Sequence, residues 1–375
     1  MHIVIAPNAF KNALSASDAA RCIFEGLMQS NLKFTSTIFP IADGGDGTGE
    51  LLIEKTNASR IEAIVHDPLG RKINASFGLT DDGIAIIELA NASGLRLLKP
   101  NEFNPLHAST FGTGELIKIA LDKKAKRILL CIGGSATIDA GTGILRAMGI
   151  KFLDMHGREL NKMPESLAQL DSIDTSQLDA RIKRTELIIL CDVENKLLGE
   201  KGAAAVFGPQ KGATKNDVER LETSLAKLKE VTFDHTGKDM SIISHGGAAG
   251  GVAAGLATFL DAKLVSGADY FLDYTNFDAA LQNADLVITG EGSIDEQTLD
   301  GKAPFAVAKR AKEKNISVIG IAGKVPTVTN DKMKFYFDKL IGINNEPFEI
   351  ERALKNTAAN LIHTGKELGY ALTLK

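Results

Sequence analysis

Charged side chains recur in glycine-rich segments that follow short apolar runs of this 375-residue chain. Lys11 follows the run at 3–6, while Asp43 and Asp46 follow the run at 37–41 and are surrounded by glycines. Glycine lets the backbone approach a ligand, and two carboxylates three residues apart can hold a metal ion or accept a proton. Lys11 therefore lies where a phosphate or carboxylate is expected. A solvated lysine and a turn with helix-capping aspartates are the alternative interpretations.

The segment at 133–143, GGSATIDAGTG, follows the apolar run at 128–132 and opens a predicted helix. Backbone N–H groups at such a position, together with the serine and threonine hydroxyls, can cradle phosphate oxygens. The segment has neither the Gly-Lys-Ser/Thr ending of a Walker A loop nor the Gly-x-Gly-x-x-Gly of a dinucleotide fingerprint. We predict phosphate contacts from four of its residues, Gly133, Gly134, Ser135 and Thr137. A glycine-rich helix start packed on the sheet is the alternative.

Two further charged residues follow or lie near a very apolar run at 187–191. Asp192 comes directly after this run, where a buried carboxylate would need a partner, and a helix cap is its alternative role. Lys211 lies in the turn sequence at 207–212 and is predicted to bind substrate, with a solvated lysine as the alternative. The glycine-rich segment at 245–251 is interpreted equally well as a close helix contact or as another anion loop.

A third group of charged residues follows the apolar run at 286–289. It places Glu291, Asp295 and Lys302 within twelve residues, and we expect this segment to be functional. We predict phosphate contacts here from Gly290, Gly292 and Lys302. The glycine-rich segments contain lysines but no arginine that is an obvious candidate for an arginine finger. No Gly-x-Ser-x-Gly elbow of a hydrolase is present.

The elements that position these segments are predicted from the same runs. Short apolar runs that lead into helical periodicity are typical of βαβ units and predict a mostly parallel sheet with helices on both faces. Ligands bind at the carboxyl ends of the strands in such sheets. One stretch, with strand-like segments at 61–66, 72–79 and 84–89, predicts an antiparallel meander instead.

The chain length favours two domains. We predict a Rossmann-like α/β domain and a second, mixed α/β domain that is inserted into it. The first is predicted to comprise 1–60, 111–150 and 280–375, and the second 61–110 and 151–279.

Composition narrows the choice of partner. The net charge of −4 arises from interspersed acidic and basic residues, so neither nucleic acid nor an anionic membrane is an expected partner. No apolar run approaches a bilayer-spanning length, and the N-terminal run is too short for a signal sequence, so we expect a cytoplasmic protein. A small-molecule substrate is favoured, and both a monomer and a homodimer remain open.

Taken together and in this order, the glycine-rich strings resemble type-1 glycerate kinases over about residues 1–345. The matching strings are the initial Phe10-Lys loop, Asp43-Gly-Gly, Phe111-Gly-Thr-Gly-Glu-Leu-Ile117, Gly133-Gly-Ser-Ala-Thr, Cys191-Asp-Val, Phe207-Gly-Pro-Gln-Lys-Gly, Gly247-Ala-Ala-Gly-Gly and Thr289-Gly-Glu-Gly with Gly301-Lys. The resemblance implies ATP-dependent phosphorylation of D-glycerate, dependence on Mg²⁺, and two α/β domains with the active site in the cleft between them. It further implies 2-phosphoglycerate as the product, with 3-phosphoglycerate as the alternative.

Residue roles follow from these positions. We predict Asp192 as the base that receives the substrate hydroxyl proton, with Asp43 as the alternative base. The remaining expected roles are catalysis for Lys11, substrate binding for Lys211 and Asp46, and metal binding for Asp139 and Asp295. Two departures from the family pattern are Asn8, where such kinases usually carry Asp, and Asp46, where they usually carry Glu.

Three other functions are less well supported by the sequence. The string at 44–48 also matches the nucleotide loop of phosphofructokinases and NAD kinases, which makes a phosphotransferase of that kind the runner-up. A nucleotide-dependent oxidoreductase is disfavoured because the dinucleotide fingerprint is absent. A ligand-binding protein without catalysis is disfavoured by the acids at several strand ends.

Overall fold

The computed structural model describes residues 1–344 and 349–374. The strands, in chain order, are β1 (His2–Pro7), β2 (Thr35–Ile38), β3 (Ser59–His66), β4 (Lys72–Leu79), β5 (Ile84–Glu88), β6 (Arg127–Cys131), β7 (Lys151–Leu153), β8 (Ser172–Asp174), β9 (Glu186–Cys191), β10 (Lys263–Ser266), β11 (Leu286–Ser293), β12 (Ser317–Lys324) and β13 (Lys339–Gly342).

The α-helices are α1 (Ala16–Met28), α2 (Thr48–Thr56), α3 (Ala90–Ser93), α4 (Phe111–Asp122), α5 (Thr142–Ala147), α6 (Ala203–Phe207), α7 (Lys215–Thr236), α8 (Ala248–Leu260), α9 (Gly267–Tyr274), α10 (Phe277–Ala280), α11 (Ala303–Glu313), α12 (Asp331–Tyr336) and α13 (Ile350–Thr373). Short 3-10 helices span Leu95–Leu97, Pro100–Glu102, Glu165–Gln169, Ala180–Arg184, Pro209–Lys211, Met240–Ile242 and Glu296–Asp300. Within the described part of the chain, no helix is long and apolar enough to cross a membrane.

The chain divides into two compact units. Unit 1 comprises Met1–Asp43 and Ala268–Lys375, and unit 2 comprises Gly44–Gly267. Unit 2 is therefore a continuous insertion between the two segments of unit 1.

Unit 1 contains a five-stranded, wholly parallel sheet in the order β13-β12-β11-β1-β2. The central strands are buried along their length, and Ile3, Val4 and Ile5 of β1 have no exposed surface. Continuous apolar strands of this kind are typical of parallel sheets that are covered on both faces. Helix α1 begins after Ser15, whose side chain accepts a hydrogen bond from the Asp18 N–H, and it packs against α13.

Unit 2 contains a six-stranded mixed sheet in the order β10-β9-β6-β5-β4-β3. Strands β10, β9, β6 and β5 run parallel to one another, whereas β4 is antiparallel to both β5 and β3. The antiparallel meander is thus confirmed, and so is the fold class of a parallel sheet with helices beside a second, mixed α/β sheet.

The observed units differ from the predicted domain boundaries. Residues 44–60 and 111–150 were predicted in the Rossmann-like domain but lie in unit 2, and residues 268–279 lie in unit 1. The reason is that β6 pairs on one side with β5 and on the other with β9, so that it is central to the sheet of unit 2.

Candidate active site

The 133–137 segment follows β6 and lies directly against the loop at 44–47. The Gly133 N–H donates a hydrogen bond to the Gly44 carbonyl at 3.2 Å. A Cβ atom at Gly133 would overlap the backbone of Gly45, so this close approach requires glycine. Gly134 is exposed and has a φ of 69°, which favours glycine as well. In the described residues, neither Gly134 nor Ser135 uses its amide N–H in a hydrogen bond, so these donors can bind an anion.

Lys211 is buried and bonded to this same segment. Its side chain is only 3% exposed, and Nζ donates hydrogen bonds to Ser135 Oγ at 2.7 Å and to the Thr137 carbonyl at 2.8 Å. Burial lowers the pKa of Lys211 to about 7, although the nearby Asp139 raises it. The alternative of a solvated lysine is therefore wrong. The same burial argues against the predicted direct contact of Lys211 with substrate.

Asp139 organises the end of the 133–143 loop. It has no exposed surface, and its two carboxylate oxygens accept hydrogen bonds from the Thr110 N–H and hydroxyl at 2.9 and 2.8 Å, from the Gly141 N–H at 3.1 Å and from the Gly143 N–H at 3.2 Å. Burial raises the pKa of Asp139 above its usual value, while the bonds from Thr110 act in the opposite direction. Three of these donors bond to Oδ2 and one bonds to Oδ1, so the protein itself engages both oxygens of the carboxylate. This geometry argues against the predicted metal role of Asp139.

The segment at 245–251 packs against this loop as well. The Ala140 N–H donates to the Gly250 carbonyl at 2.9 Å, and helix α8 is kinked where Ala249, Gly250 and Gly251 have positive φ angles. A Cβ atom at Gly250 would overlap the Thr137 carbonyl. Of the two interpretations of this segment, the contacts therefore support close packing.

Asp46 belongs to a cluster of charged side chains, with Glu88 and Arg96, that the sequence analysis missed. Its Oδ1 atom accepts a hydrogen bond from Arg96 Nη1 at 2.7 Å. Glu88, at the end of β5, is 4% exposed and accepts a hydrogen bond from the Gly47 N–H at 2.6 Å. Burial raises the pKa of Glu88 to about 7, and Asp46 adds to this rise. Arg96 lies outside the glycine-rich strings, so a search confined to those strings could not find it.

Asp192 is exposed and directly follows β9. Because β9 is the parallel neighbour of β6, Asp192 lies at the same edge of the sheet as Gly133. No helix begins at Asp192, since the chain is irregular until α6, whose N-cap is Gly202. The helix-cap alternative for Asp192 is therefore wrong.

Unit 1 has its own group of polar residues at the ends of β1 and β11. The Asn8 N–H donates to the Gly290 carbonyl at 2.8 Å, and Asn8 Nδ2 donates to Asp43 Oδ2 at 2.7 Å. The Ala9 N–H donates to Asn8 Oδ1 at 2.8 Å, which fixes the orientation of the amide. Asn8 thus presents a donor, not a second carboxylate, to Asp43.

Glu291 is the most buried acid of this group, at 9% exposure, and the sequence analysis assigned no role to it. Its Oε1 atom accepts a hydrogen bond from the Thr298 hydroxyl at 3.1 Å. Burial raises the pKa of Glu291 to about 7, Lys302 lowers it, and Asp43 and Asp295 raise it further. Three carboxylates and a lysine of unit 1 therefore lie near enough to affect one another.

The remaining predicted residues of unit 1 surround this group. Lys11 is exposed, and its backbone nitrogen would lie 3.6 Å from a Cβ atom at Gly292. Asp295 Oδ1 accepts a hydrogen bond from the Thr298 N–H at 3.3 Å, so Asp295 caps a 3-10 helix. Gly290 is required by packing, because a Cβ atom there would overlap the Ile321 carbonyl.

Each unit thus gathers part of the predicted site. Unit 1 holds Lys11, Asp43, Gly290, Gly292, Asp295 and Lys302, and unit 2 holds Asp46, Gly133, Gly134, Ser135, Thr137, Asp139, Asp192 and Lys211. Among the residues that the structure describes, no group of three or more His, Cys, Asp or Glu side chains forms a ready metal cluster. Mg²⁺ often needs only one or two carboxylates together with substrate phosphates.

Comparison with known proteins places the chain among glycerate kinases. A model of the glycerate kinase family matches residues 3–373. The glycerate kinase of Bacillus subtilis (strain 168) is 42% identical over 375 residues, which are 100% of this chain and 98% of the relative. The glycerate 2-kinase of Escherichia coli (strain K12) is 38% identical over 375 residues, again 100% of this chain and 98% of the relative.

A solved structure extends the likeness to the fold. The crystal structure of a Salmonella typhimurium LT2 protein assigned as glycerate kinase 2 has a TM-score of 0.81 and 40% sequence identity, and the match covers 100% of this chain and 98% of that chain. The fold and the matches define an enzyme of the phosphotransferase class. The chain belongs to the glycerate kinase family. This assignment removes the support for a phosphofructokinase-like or NAD-kinase-like enzyme, which rested on one short loop.

Proposed function

We propose that the protein transfers the γ-phosphoryl group of ATP to the 2-hydroxyl group of D-glycerate and releases 2-phosphoglycerate and ADP. Membership of the glycerate kinase family supports the substrate. The E. coli relative, at 38% identity over 100% of this chain, is named glycerate 2-kinase, which supports the 2-position.

The observation that carries the nucleotide part of the proposal is the 133–137 segment. It combines two unused amide donors, an exposed glycine and the Ser135 hydroxyl at the end of a parallel strand. Backbone donors at such an edge suit phosphate oxygens because they present partial positive charge without a bulky side chain. We assign the phosphates of ATP to this segment.

We further propose that Mg²⁺ accompanies the nucleotide and that Asp295 contributes to its binding. The donor set fits the ion, because Asp43 and Asp295 both act on Glu291 and Mg²⁺ prefers carboxylate and phosphate oxygens. When bound, Mg²⁺ would supply positive charge that offsets the negative charge on the phosphoryl group during its transfer. Lys11 and Lys302 are assigned the same electrostatic task.

Asp192 is the proposed general base. It is exposed at the end of β9, so a substrate hydroxyl group can reach it. Asp43 is the alternative base. The hydrogen bond that its carboxylate accepts from Asn8 would orient it for this task. Asp46 is proposed to bind substrate hydroxyl groups with the help of Arg96, which holds its carboxylate in place.

A coupled assay tests the product assignment. Enolase consumes 2-phosphoglycerate directly, whereas 3-phosphoglycerate must first pass through phosphoglycerate mutase. We expect enolase to accept the product made from D-glycerate and Mg-ATP in the absence of the mutase. A product that enolase accepts only after the mutase is added would show the 3-position to be phosphorylated instead.

A further inference from the structure

We propose that Lys211 is a positioning residue for the nucleotide, which holds the 133–137 segment in its phosphate-binding conformation from inside unit 2. The inference rests on the proposed function of that segment. It replaces the sequence-based expectation that Lys211 binds the substrate.

The hydrogen bonds of Lys211 tie together two residues of the segment. Nζ donates to Ser135 Oγ at 2.7 Å and to the Thr137 carbonyl at 2.8 Å. Gly134, whose amide N–H is one of the two unused donors in the described residues, immediately precedes Ser135. Fixing Ser135 and Thr137 therefore fixes the backbone that presents these donors.

The charge of Lys211 is placed to assist an anion in the segment. Lys211 is only 3% exposed, so water screens its charge little, and electrostatic interactions are stronger in such surroundings than in bulk water. Asp139 is the ionisable group that acts on Lys211 from the other end of the loop, and the ring of Phe207 lies 6.0 Å from Nζ. A phosphate bound at Gly134 and Ser135 would add a second negative neighbour and favour the protonated amine.

Thr137 supplies a further observation on the segment. Its side chain is fully buried, yet within the described residues its hydroxyl oxygen has no hydrogen-bond partner. Buried polar atoms without a hydrogen-bond partner are rare in folded proteins, and each one calls for a structural or functional explanation. Within the described residues, the segment thus has two amide donors and one hydroxyl group that make no hydrogen bond, and the buried amine of Lys211 contacts it.

The experiment compares Lys211→Met with wild-type enzyme. Methionine keeps much of the length of the side chain but removes its charge and its donors. We expect the dissociation constant for ADP, measured by calorimetry, to rise about 10- to 100-fold, as for loss of hydrogen bonds from a charged group. The KM for D-glycerate should stay within about twofold. Lys201→Met, at an exposed lysine nearby in the chain, is the matched control and should change neither value.

Chemical rescue separates charge from packing. Lys211→Ala should regain ADP affinity when propylammonium is added, and 1-propanol, which has a similar size and no charge, should not restore it. Equal rescue by both compounds would mean that Lys211 only fills space, and would overturn the proposal. A raised KM for D-glycerate with unchanged ADP affinity would overturn it in favour of substrate binding.

Hydrogen exchange keeps this inference distinct from the proposed function. If ADP fails to protect the amides of 133–137 in the wild-type enzyme, the assignment of the phosphates to this segment is wrong. If ADP protects them equally in wild type and in Lys211→Met with equal affinity, only the role of Lys211 is wrong. Should Lys211→Met not fold, Lys211→Gln replaces it, and failure of both to fold would show a purely structural lysine.

Discussion

Replacing Glu88 by Gln should stabilise the protein at alkaline pH and leave it nearly unchanged at acidic pH. Burial raises the pKa of Glu88 from its usual 4.5 to about 7, so the folded chain holds this proton more tightly than the unfolded chain. As pH rises through this interval the unfolded state ionises first, and the free energy of unfolding falls. At about 1.36 kcal/mol for each pKa unit, the loss reaches at most roughly 3 kcal/mol above pH 7.

The amide of Gln has nearly the same shape as the carboxyl group and can still accept the hydrogen bond from the Gly47 N–H. It cannot ionise, so the pH-dependent loss should vanish in the variant. Urea denaturation of both proteins between about pH 5 and pH 8 gives the difference in unfolding free energy. We expect this difference to grow with pH in favour of Glu88→Gln.

Glu186→Gln provides a control of opposite sign. Glu186 accepts hydrogen bonds from Lys263 at 2.7 Å and from Arg127 at 2.6 Å, and these bonds lower its pKa. Its ionised form therefore stabilises the folded chain above the unfolded pKa of about 4.5, and Glu186→Gln should be less stable than wild type by a nearly constant amount between pH 5 and pH 8. A difference between Glu88→Gln and wild type that stays constant over this pH range would refute the reasoning.

Three further predictions concern the site itself. Asp192→Asn should lower kcat about 10²- to 10⁴-fold with ADP binding intact, as for loss of a general base; a fully active variant beside an inactive Asp43→Asn would exchange the two roles. Chelation of Mg²⁺ by EDTA should abolish ADP release that depends on D-glycerate, and an unchanged rate would make the metal proposal wrong. Asp139→Asn should reduce the free energy of unfolding by roughly 2–4 kcal/mol, because the amide turns an acceptor toward N–H groups into a donor. An unaltered urea midpoint would contradict this structural role.

The local sequence patterns predicted individual strands better than they predicted which strands share a sheet. The apolar runs at 128–132 and 187–191 correspond to β6 and β9, and the meander is β3, β4 and β5. The sheet to which β6 belongs could not be predicted, because a buried parallel strand reads as the same apolar run in either domain. The short strand β2 is partly exposed, which removes the apolar signal on which such a prediction depends.

Sequence spacing groups candidate residues that are close in the chain, but it misses residues that only the fold brings together. The chemistry of Glu88 and Arg96 depends on their contacts with the 44–47 loop, 41 and 50 residues earlier in the chain. The spacing of residues in the sequence also could not show which charged side chains are buried. Lys211, predicted to bind substrate with a solvated lysine as the alternative, lies inside unit 2, and Asp139, predicted to bind metal, accepts four hydrogen bonds within the protein.

Phosphorus NMR of the product made from D-glycerate and Mg-ATP tests the central claim most directly. A phosphate ester at the 2-position is coupled to one proton on its carbon, whereas an ester at the 3-position is coupled to two. We expect a new doublet in the phosphorus spectrum that grows together with the ADP signal. A triplet would contradict the proposed 2-position, and the absence of any new ester signal from active, folded protein would contradict phosphorylation of D-glycerate by ATP.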